Sequence, residues 1–395
     1  MANDSARRFH GIEDLEAAAK RRLPRVVNEY IAGGASSEFT IAENRRAYDR
    51  VTFSPLPMVD ISSRSTAVTV LGQRLALPVI AGPAGLAPLV HPEGEKAVAR
   101  AAAAAGSVFC ISNASGFSLE EIAAAAPGPL WFQLLSCTER TIAGQFVARA
   151  REARCQALIL GVDLPIGGLR YRDDRNGMRF PPRPKPRDLL DFLWHPRWLW
   201  NAATSGRISL GNYTPLLKQL GISDSYSFLT TRVLQPTCSW DDLRWLRGVW
   251  DGPIVVKGIM SPEAAVRAQA AGADAVVVSN HGGRQLDWLP ATLDVLPEVV
   301  DAVGSKIDVL MDGGIRHGAD VVKALALGAK ACLVARAWYW SLAAAGEAGV
   351  AAMFDTFRHE IDNVAGLLGC PRIAEVTSAF IRCREPLPRP ATDHR

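Results

Sequence analysis

A histidine and an arginine stand three positions apart in the segment Ser279–Asp287, which reads SNHGGRQLD. The apolar run Ala275–Val278 before it is typical of a strand buried on both faces. Two glycines separate His281 from Arg284, so we expect a turn at the strand's carboxyl end with both side chains facing one small ligand. Imidazole suits proton transfer near neutral pH, and guanidinium suits the binding of a carboxylate. A structural histidine in a capped turn is the less favoured alternative.

Short apolar runs that end in Gly, Ser or a polar residue recur along the chain. They are Leu77–Gly82, Val108–Ser112, Leu130–Leu135, Ala157–Asp163, Ile254–Gly258, Ala275–Ser279, Val309–Gly313 and Ala331–Arg336. Their continuous apolar character indicates burial on both faces, as in a parallel sheet. Helical stretches lie between most of them, at Glu95–Ala105, Ser118–Ala125, Thr138–Arg151, Pro262–Ala271 and Gly318–Leu327. This α/β pattern predicts a (β/α)8 TIM barrel, with its chemistry at the carboxyl ends of the strands.

The even spacing fails once, because about ninety residues separate Asp163 from Ile254, far more than an ordinary loop between strand and helix. We interpret residues 177–235 as an inserted loop or lid within one domain that spans 1–395. The insertion contains a stiff basic hinge at 181–186 and then the stretch Leu189–Trp200, with three tryptophans. That stretch fits an interfacial membrane anchor and, equally well, a lid or subunit contact packed on the barrel. We expect residues 1 to about 65 to form an N-terminal helical cap, and residues 386–395 to form a frayed tail.

Bulk composition excludes several classes of protein. A hydrophobic content of 48% over 395 residues supports a large core, and a net charge of +4 argues against nucleic acid as a partner. Seven scattered cysteines without a CxxC pair indicate buried thiols in a reducing compartment, not disulfides or a metal site. The polar N-terminus and the lack of an apolar run of about 18 residues predict a cytoplasmic protein, either free or peripheral on the inner face of the cell membrane.

Polar or small residues at the predicted strand ends form one candidate group. They are Pro83, Ala84, Gly85, Ser112, Gln133, Asp163, Lys257, Ser279, His281, Asp312 and Arg336, with Tyr30 from the segment before the barrel. An uncompensated ammonium at a strand end is costly, so Lys257 implies an anionic partner. Gly314 and Arg316, with Arg336 one strand later, suit a phosphate held after strands seven and eight. Together with a histidine base, and without a dinucleotide fingerprint, this set indicates FMN.

The chain resembles the family of FMN-dependent α-hydroxy-acid dehydrogenases and oxidases over nearly its whole length. The segments that carry the resemblance are Leu23–Ala35, His91–Glu95, Trp131–Leu134, Val255–Gly258, Ser279–Asp287, Asp312–Arg316 and Lys323–Ala329. The resemblance implies FMN as cofactor, a 2-hydroxy acid as small-molecule substrate, and a quinone or O2 as electron acceptor. We also expect a homotetramer.

The resemblance implies a role for each candidate residue. His281 is the implied base that removes a substrate proton, and Asp163 is the carboxylate that orients it. Arg284 is the implied clamp on the substrate carboxylate, helped by Tyr30 and Arg170. The implied cofactor contacts are Lys257 beside flavin N1, Pro83, Ala84, Gly85, Ser112, Gln133, Ser279, Asp312, Gly314, Arg316, Ala335 and Arg336.

Departures from the family pattern bear on the choice of substrate. Leu135 stands where the family usually carries a tyrosine that contacts the reacting substrate oxygen, and Ala114 stands where glycolate-type oxidases carry a tryptophan. Ala114 resembles mandelate dehydrogenases and opens room for a large side chain. Gly161 replaces a usual threonine, and Ala335 a usual glycine. The pair Gly82–Pro83 also resembles the mandelate-dehydrogenase form.

Our leading hypothesis is an (S)-2-hydroxy-acid dehydrogenase that acts on a bulky, aryl substrate such as mandelate. An oxidase of the same family, which reduces O2 to peroxide, is the closest alternative. A non-redox FMN barrel, like the isopentenyl-diphosphate isomerases of the second type, is disfavoured because Arg284 and Tyr30 suit a carboxylate. A flavin-binding protein with little catalytic activity is a further alternative, because Leu135 replaces the tyrosine that usually contacts the reacting oxygen.

Overall fold

The computed structural model describes residues 9–135, 139–178, 185–205, 210–221 and 237–383. The predicted tail at 386–395 and most of the predicted hinge at 181–186 lie outside these ranges. The strands are β1 Val51–Phe53, β2 Val68–Val70, β3 Gln73–Leu75, β4 Val79–Ala81, β5 Phe109–Ser112, β6 Leu130–Leu134, β7 Ala157–Gly161, β8 Ile254–Ile259, β9 Ala275–Val278, β10 Asp308–Asp312, β11 Cys332–Val334 and β12 Ile381–Cys383.

The helices surround these strands and fill the insertion. They are α1 Ile12–Arg22, α2 Arg25–Ala32, α3 Phe39–Asp49, α4 Gly94–Ala104, α5 Leu119–Ala125, α6 Arg140–Glu152, α7 Tyr171–Asn176, α8 Pro186–Leu193, α9 Pro196–Ser205, α10 Thr214–Leu220, α11 Trp240–Val249, α12 Pro262–Ala270, α13 Thr292–Val303, α14 Gly318–Ala326 and α15 Arg336–Leu368. Short 3-10 turns lie at Ala87–Leu89, His281–Gly283, Ile373–Glu375 and Ser378–Phe380.

Strands β4 to β11 form a closed parallel barrel in which each strand pairs with the next along the chain. The ring closes where β11 pairs with β4, with Cys332 opposite Val79. All four residues of β9 are fully buried, because the barrel interior covers one face of the strand and the helices cover the other. The (β/α)8 barrel predicted from the sequence is therefore confirmed.

Two strand ends differ from the prediction. Strand β7 ends at Gly161, so Asp163 lies two residues beyond it, and Arg336 opens helix α15 instead of ending β11. Both residues therefore lie just past the barrel strands, at the carboxyl end of the barrel, whereas Lys257 lies within β8.

The segment before the barrel covers both of its ends. Helix α1 packs along α15, and α2 brings Tyr30 to the carboxyl end of the barrel. At the amino end, the β2–β3 hairpin lies against the start of β10, where the Leu71 main-chain N–H donates to Asp308 Oδ2 at 2.7 Å. The outer strands β1 and β12 pair antiparallel, with Val51 opposite Cys383.

One part of the insertion between β7 and β8 packs on the barrel. The Asn212 side chain accepts from the Leu119 main-chain N–H at 2.7 Å and donates to the Ser112 carbonyl at 3.1 Å. The Tyr213 hydroxyl is fully buried and accepts from Asn113 Nδ2 at 2.7 Å. This part of the insertion therefore packs on the barrel, and its role as a lid stays a prediction.

Helices α8 and α9 of the same insertion instead carry large apolar side chains to the surface. We call Leu189, Leu190, Leu193, Trp194 and Trp200 the exposed apolar face of α8–α9; Trp194 is 84% exposed and Trp200 is 70% exposed. Trp198 does not belong to it, because its ring packs on Phe192 with centroids 5.2 Å apart. Its indole N–H donates to the Leu89 carbonyl at 2.8 Å. The prediction that all three tryptophans act as one anchor is therefore wrong for Trp198.

Candidate active site

A cavity of about 710 Å³ opens at the carboxyl end of the barrel, and each barrel strand, or the loop that follows it, contributes to its wall. The sequence-predicted residues that line it are Tyr30, Pro83, Ala84, Gly85, Ser112, Ala114, Gln133, Leu135, Arg170, Lys257, His281, Arg284, Asp312, Gly314, Arg316, Ala335 and Arg336. Asp163 and Ser279 are not part of the lining, but each is hydrogen-bonded to a residue that is. The structure thus brings the predicted group together.

His281 is held by the carboxylate behind it. Its Nδ1 lies 3.0 Å from Asp163 Oδ2, which leaves Nε2 as the ring nitrogen for a ligand. The backbone of His281 adopts the left-handed conformation, with φ of 56°, and its N–H donates to Ser279 Oγ at 3.2 Å. Burial alone would raise the pKa of the Asp163 carboxyl, but His281 and Lys257 outweigh burial and lower that pKa. Asp163 is therefore a carboxylate at neutral pH and can stabilise a protonated imidazole.

Lys257 has an anionic partner within the protein. Its Nζ lies 2.8 Å from Asp312 Oδ2 and donates to Ser279 Oγ at 2.8 Å. Burial lowers the pKa of the ammonium, but the carboxylates of Asp312 and Asp163 outweigh burial and raise that pKa above its usual value. The anionic partner that the sequence implied for Lys257 is thus supplied by the protein itself, through Asp312. The ammonium nevertheless stays charged at the cavity wall.

Arg284 is oriented by main-chain carbonyl groups of the N-terminal segment. Its Nη1 donates to the Tyr30 carbonyl at 2.8 Å and to the Gly33 carbonyl at 2.7 Å. Its guanidinium lies 5.1 Å from the centre of the Tyr30 ring. Arg170 Nε donates to the Arg284 carbonyl at 3.3 Å, so two cations and a phenol meet at one end of the cavity. This arrangement can bind a carboxylate.

Asp173 lies beside these cations and also lines the cavity. Burial raises the pKa of its carboxyl, although Arg284 and Arg170 act in the opposite direction. Arg170 Nη1 is 4.0 Å from Asp173 Oδ2. Asp173 therefore moderates the positive charge at this end of the cavity.

Another part of the cavity wall is suited to a phosphate. Gly313 and Gly314 have φ of 110° and 75°, and a Cβ on Gly314 would come within 2.4 Å of the Asn44 carbonyl oxygen. Only glycine fits this turn. The Arg316 guanidinium lies 4.5 Å from the centre of a Trp340 ring, and burial lowers the pKa of Arg316 to about 10. Helix α15 begins at the same wall, and helix N-termini attract anions.

The Arg336 guanidinium is already used by the protein. It donates to the carbonyls of Ile31 at 3.0 Å, Gly282 at 2.9 Å and Gly33 at 2.9 Å. These bonds join α15 to the N-terminal segment and to the turn after His281. A phosphate contact by Arg336 stays a prediction.

Two buried polar atoms at the cavity show that the site fits the FMN expected from the sequence. Within the described residues, Gln133 Nε2 and Asp312 Oδ1 are buried and have no hydrogen-bond partner. Unpaired buried polar groups are rare in native proteins, and these two belong to residues of the cavity wall, where a bound ligand can supply their partners. A Cβ on Gly161 would lie 3.0 Å from Gln133 Nε2, and the glycine therefore leaves this amide its space. Gln133 and Lys257 can hold a polar ring, while Gly314 and Arg316 can hold a phosphate.

Sequence reasoning missed four polar residues that line the cavity, Asp173, Asp174, Gln285 and Tyr339. Gln285 Nε2 donates to the carbonyls of Asp163 and Ile166, at 3.1 and 2.9 Å, and so fixes the loop that precedes Arg170. Tyr339 lines the cavity. Its position three residues after Arg336 in α15 is the signal that could have found it, because residues i and i+3 share a helix face.

Comparison with known proteins identifies relatives over almost the whole chain. The model of the FMN-dependent dehydrogenase family matches residues 19–383. An L-lactate dehydrogenase of Caulobacter vibrioides is 40% identical over 94% of this chain and 97% of its own. An (S)-mandelate dehydrogenase of Pseudomonas putida is 38% identical over 94% and 93%.

Solved structures give the same result. The crystal structure of a monotopic membrane protein, (S)-mandelate dehydrogenase, matches with a TM-score of 0.91 at 37% identity and covers 95% of this chain and 100% of its own. A mandelate oxidase structure matches with a TM-score of 0.81 at 36% identity, again over 95% and 100%.

Proposed function

Because the chain belongs to the family of FMN-dependent dehydrogenases that act on 2-hydroxy acids, we propose that it oxidises an (S)-2-hydroxy acid with a bulky, aryl side chain. The product is the corresponding 2-oxo acid. The electrons pass to a quinone or another acceptor. FMN is the cofactor of this family, and when bound it takes up the two electrons that leave the substrate.

The observation that carries this proposal is the His281–Asp163 pair, 3.0 Å apart, in a cavity that also holds Arg284 and Tyr30. Arg284 and Tyr30, with Arg170, bind the substrate carboxylate. His281 Nε2 takes up the substrate proton, and Asp163 stabilises the imidazolium that forms. Lys257, at the cavity wall, would supply positive charge to stabilise a flavin ring as it gains electrons.

Apolar residues in the cavity wall support a bulky substrate. Ala114 and Leu135 line this wall together with Leu164, Met178 and Leu210. The last two belong to the insertion, which thus helps to cover the site. A phenyl substituent would be buried among these side chains, whereas a methyl group would leave much of their surface without contact.

Anaerobic mixing of the yellow protein with a series of 2-hydroxy acids tests the proposal directly. We expect (S)-mandelate to bleach the flavin absorbance much faster than lactate or glycolate. If no 2-hydroxy acid bleaches the flavin, the proposed oxidation is wrong. If lactate and mandelate bleach it equally fast, the family assignment is unaffected, but the proposed preference for a bulky substrate is wrong.

Hydroxy-acid oxidation with O2 as acceptor is the second candidate function. The similarity to mandelate oxidase structures supports it. Re-oxidation of the reduced protein decides between the two: rapid re-oxidation by air with release of peroxide favours the oxidase, and slow re-oxidation by air with rapid re-oxidation by a soluble quinone favours the dehydrogenase.

We further propose that the protein is a homotetramer bound peripherally to the inner face of the cell membrane. No helix in the described part of the chain is long and apolar enough to cross a bilayer. The exposed apolar face of α8–α9 supports interfacial contact, as does the similarity to a protein described as monotopic. Light scattering in detergent tests the tetramer, and vesicle sedimentation tests membrane binding.

A further inference from the structure

Two loops at the carboxyl end of the barrel touch at one corner of the cavity. They are residues 82–93 after β4 and residues 113–118 after β5. The Leu86 main-chain N–H donates to the Ala114 carbonyl at 3.1 Å. A Cβ on Gly85 would come within 2.5 Å of the same oxygen and 2.8 Å of Ala114 Cβ. Both Gly85 and Ala114 line the cavity, so a shift of this Gly85–Ala114 corner changes the space available to a substrate side chain.

Glu95 ties the two loops together at this corner. Its fully buried carboxylate accepts through Oε1 from the Ala87 main-chain N–H at 3.0 Å and from the Gly116 main-chain N–H at 2.9 Å. The two donors belong to different loops. The two loops are therefore coupled, and a side chain that fixes the position of one loop also fixes the Gly85–Ala114 corner.

Tyr339 holds the corner from inside the cavity. Its hydroxyl donates to the Gly85 carbonyl, and its side chain is buried among the residues that line the cavity. Trp338 and Trp198 donate their indole N–H groups to other carbonyls of the same loop. Of these three donors, only Tyr339 belongs to the cavity wall.

Tyr339 is also near the residues proposed to bind the substrate carboxylate. Tyr30, Arg284 and Tyr339 line the same cavity, and the first two act electrostatically on the Tyr339 hydroxyl. Burial raises the pKa of Tyr339 well above its usual value, so the phenol keeps its proton and remains a donor. One side chain therefore adjoins both the carboxylate end of the substrate site and the corner that receives the substrate side chain.

We propose that Tyr339 is a specificity-determining residue, which fixes the Gly85–Ala114 corner relative to the Tyr30–Arg284 pair through its hydrogen bond to the Gly85 carbonyl. The proposal rests on the proposed function and narrows its substrate class. A fixed corner selects acids whose ring is attached directly to carbon 2, as in mandelate. Acids with one more methylene before the ring, as in 3-phenyllactate, are disfavoured.

The variant Tyr339→Phe tests this in the full-length, FMN-loaded protein, since it keeps the ring and removes only the hydroxyl. We expect the ratio of kcat/KM for mandelate to that for 3-phenyllactate to fall about three- to tenfold, the effect of one hydrogen bond. Phenylacetate and 3-phenylpropionate provide a readout without turnover, because they lack the hydroxyl that is oxidised. The ratio of their two Kd values, measured by perturbation of the flavin spectrum, should move toward one by a similar factor.

Trp198→Phe is the matched control, because it removes a hydrogen bond to the same loop, at Leu89, outside the cavity wall. Both ratios should keep their wild-type values in this variant. The proposal is overturned if Tyr339→Phe keeps the wild-type ratios, or if Trp198→Phe changes them as much.

A second variant, Tyr339→Met, covers the case in which Tyr339→Phe does not retain FMN. Loss of FMN from both variants would assign Tyr339 to cofactor retention and overturn the proposal. A wild-type protein that binds both analogues but is reduced by no hydroxy acid would contradict the proposed function alone. The ratio of the two analogue Kd values would still test Tyr339.

Discussion

The cavity at the carboxyl end of the barrel and the exposed apolar face of α8–α9 are built in opposite ways. In the cavity, charged groups are held on more than one side: Lys257 by Asp312 and Ser279, and Arg284 by two carbonyls. On α8–α9, large apolar side chains such as Trp194 lie open to solvent. Fixed polar groups suit chemistry that needs preorganisation, and an open apolar face suits a soft partner such as a bilayer. The two regions should therefore be separable by mutation.

His281→Ala should have the largest effect of any change in the cavity. Loss of the base should slow flavin reduction by about 10²–10⁴-fold, measured by anaerobic stopped-flow absorbance. FMN content and vesicle binding should keep their wild-type values, because neither depends on this side chain in our proposal. Flavin reduction at the wild-type rate would show that another group takes up the proton.

Arg284→Lys should cost about ten- to hundredfold in kcat/KM, because one charge-assisted hydrogen bond to a carboxylate is lost with the planar fork. The lysine also cannot reproduce the contacts of Nη1 with the Tyr30 and Gly33 carbonyls. Most of the loss should be in KM. A variant with unchanged KM for the hydroxy acid would place the carboxylate elsewhere in the cavity.

Asp163→Asn tests both the imidazole and the pH dependence of stability. The native pKa of Asp163 is lowered from 3.8, so its carboxylate stabilises the fold above about pH 4, and this contribution is lost as the pH falls through the lowered native value. Denaturant titrations should show a weaker acid destabilisation in Asp163→Asn than in the wild type. The rate of flavin reduction should fall by about tenfold or more. An unchanged acid limb would show that folding does not lower the pKa of Asp163.

The sequence predicted the cavity well because its residues fall at fixed points of a regular fold. Once eight buried runs are recognised, His281, Lys257 and Gln133 must meet at the carboxyl ends of the strands. What could not be predicted depends on side-chain pairing. That Asp312 neutralises Lys257, and that Arg336 bonds to three carbonyls, follows from distances that spacing alone does not contain.

The insertion was harder to predict because aromatic residues follow no comparable rule. Trp194, Trp198 and Trp200 lie within seven residues of one another, and their types are identical. The turn between α8 and α9 directs Trp198 toward Phe192 and leaves the other two exposed. Burial of an aromatic residue depends on which neighbour its helix meets, and this is a tertiary property.

Replacements at Ala114 and Leu135 sharpen the comparison within the cavity. Ala114→Trp should fill the space for an aryl group and reduce the preference for mandelate over lactate by about tenfold or more.

Leu135→Tyr should speed the oxidation of small substrates if a hydroxyl is simply missing there, and have little effect if another polar group replaces it. Steady-state kcat/KM for glycolate, lactate and mandelate measures both. If the wild-type kcat/KM for glycolate equals that for the best aryl acid, the interpretation of an enlarged pocket is wrong.

The double variant Trp194→Ser and Trp200→Ser should have the smallest effect on catalysis and the clearest effect on location. Both rings are exposed and lie outside the cavity wall, so the rate of flavin reduction by mandelate should not change. Sedimentation with vesicles that contain anionic lipid should decrease strongly, because interfacial binding scales with the apolar area inserted.

Trp198→Ser is the matched control, because it makes the same change of residue type. The Trp198 ring packs on Phe192, so this variant should be less stable, while its folded fraction should bind vesicles like the wild type. Equal sedimentation of the wild type and the double variant would favour a subunit contact on α8–α9, and the oligomer size of the double variant would then be the measurement to make.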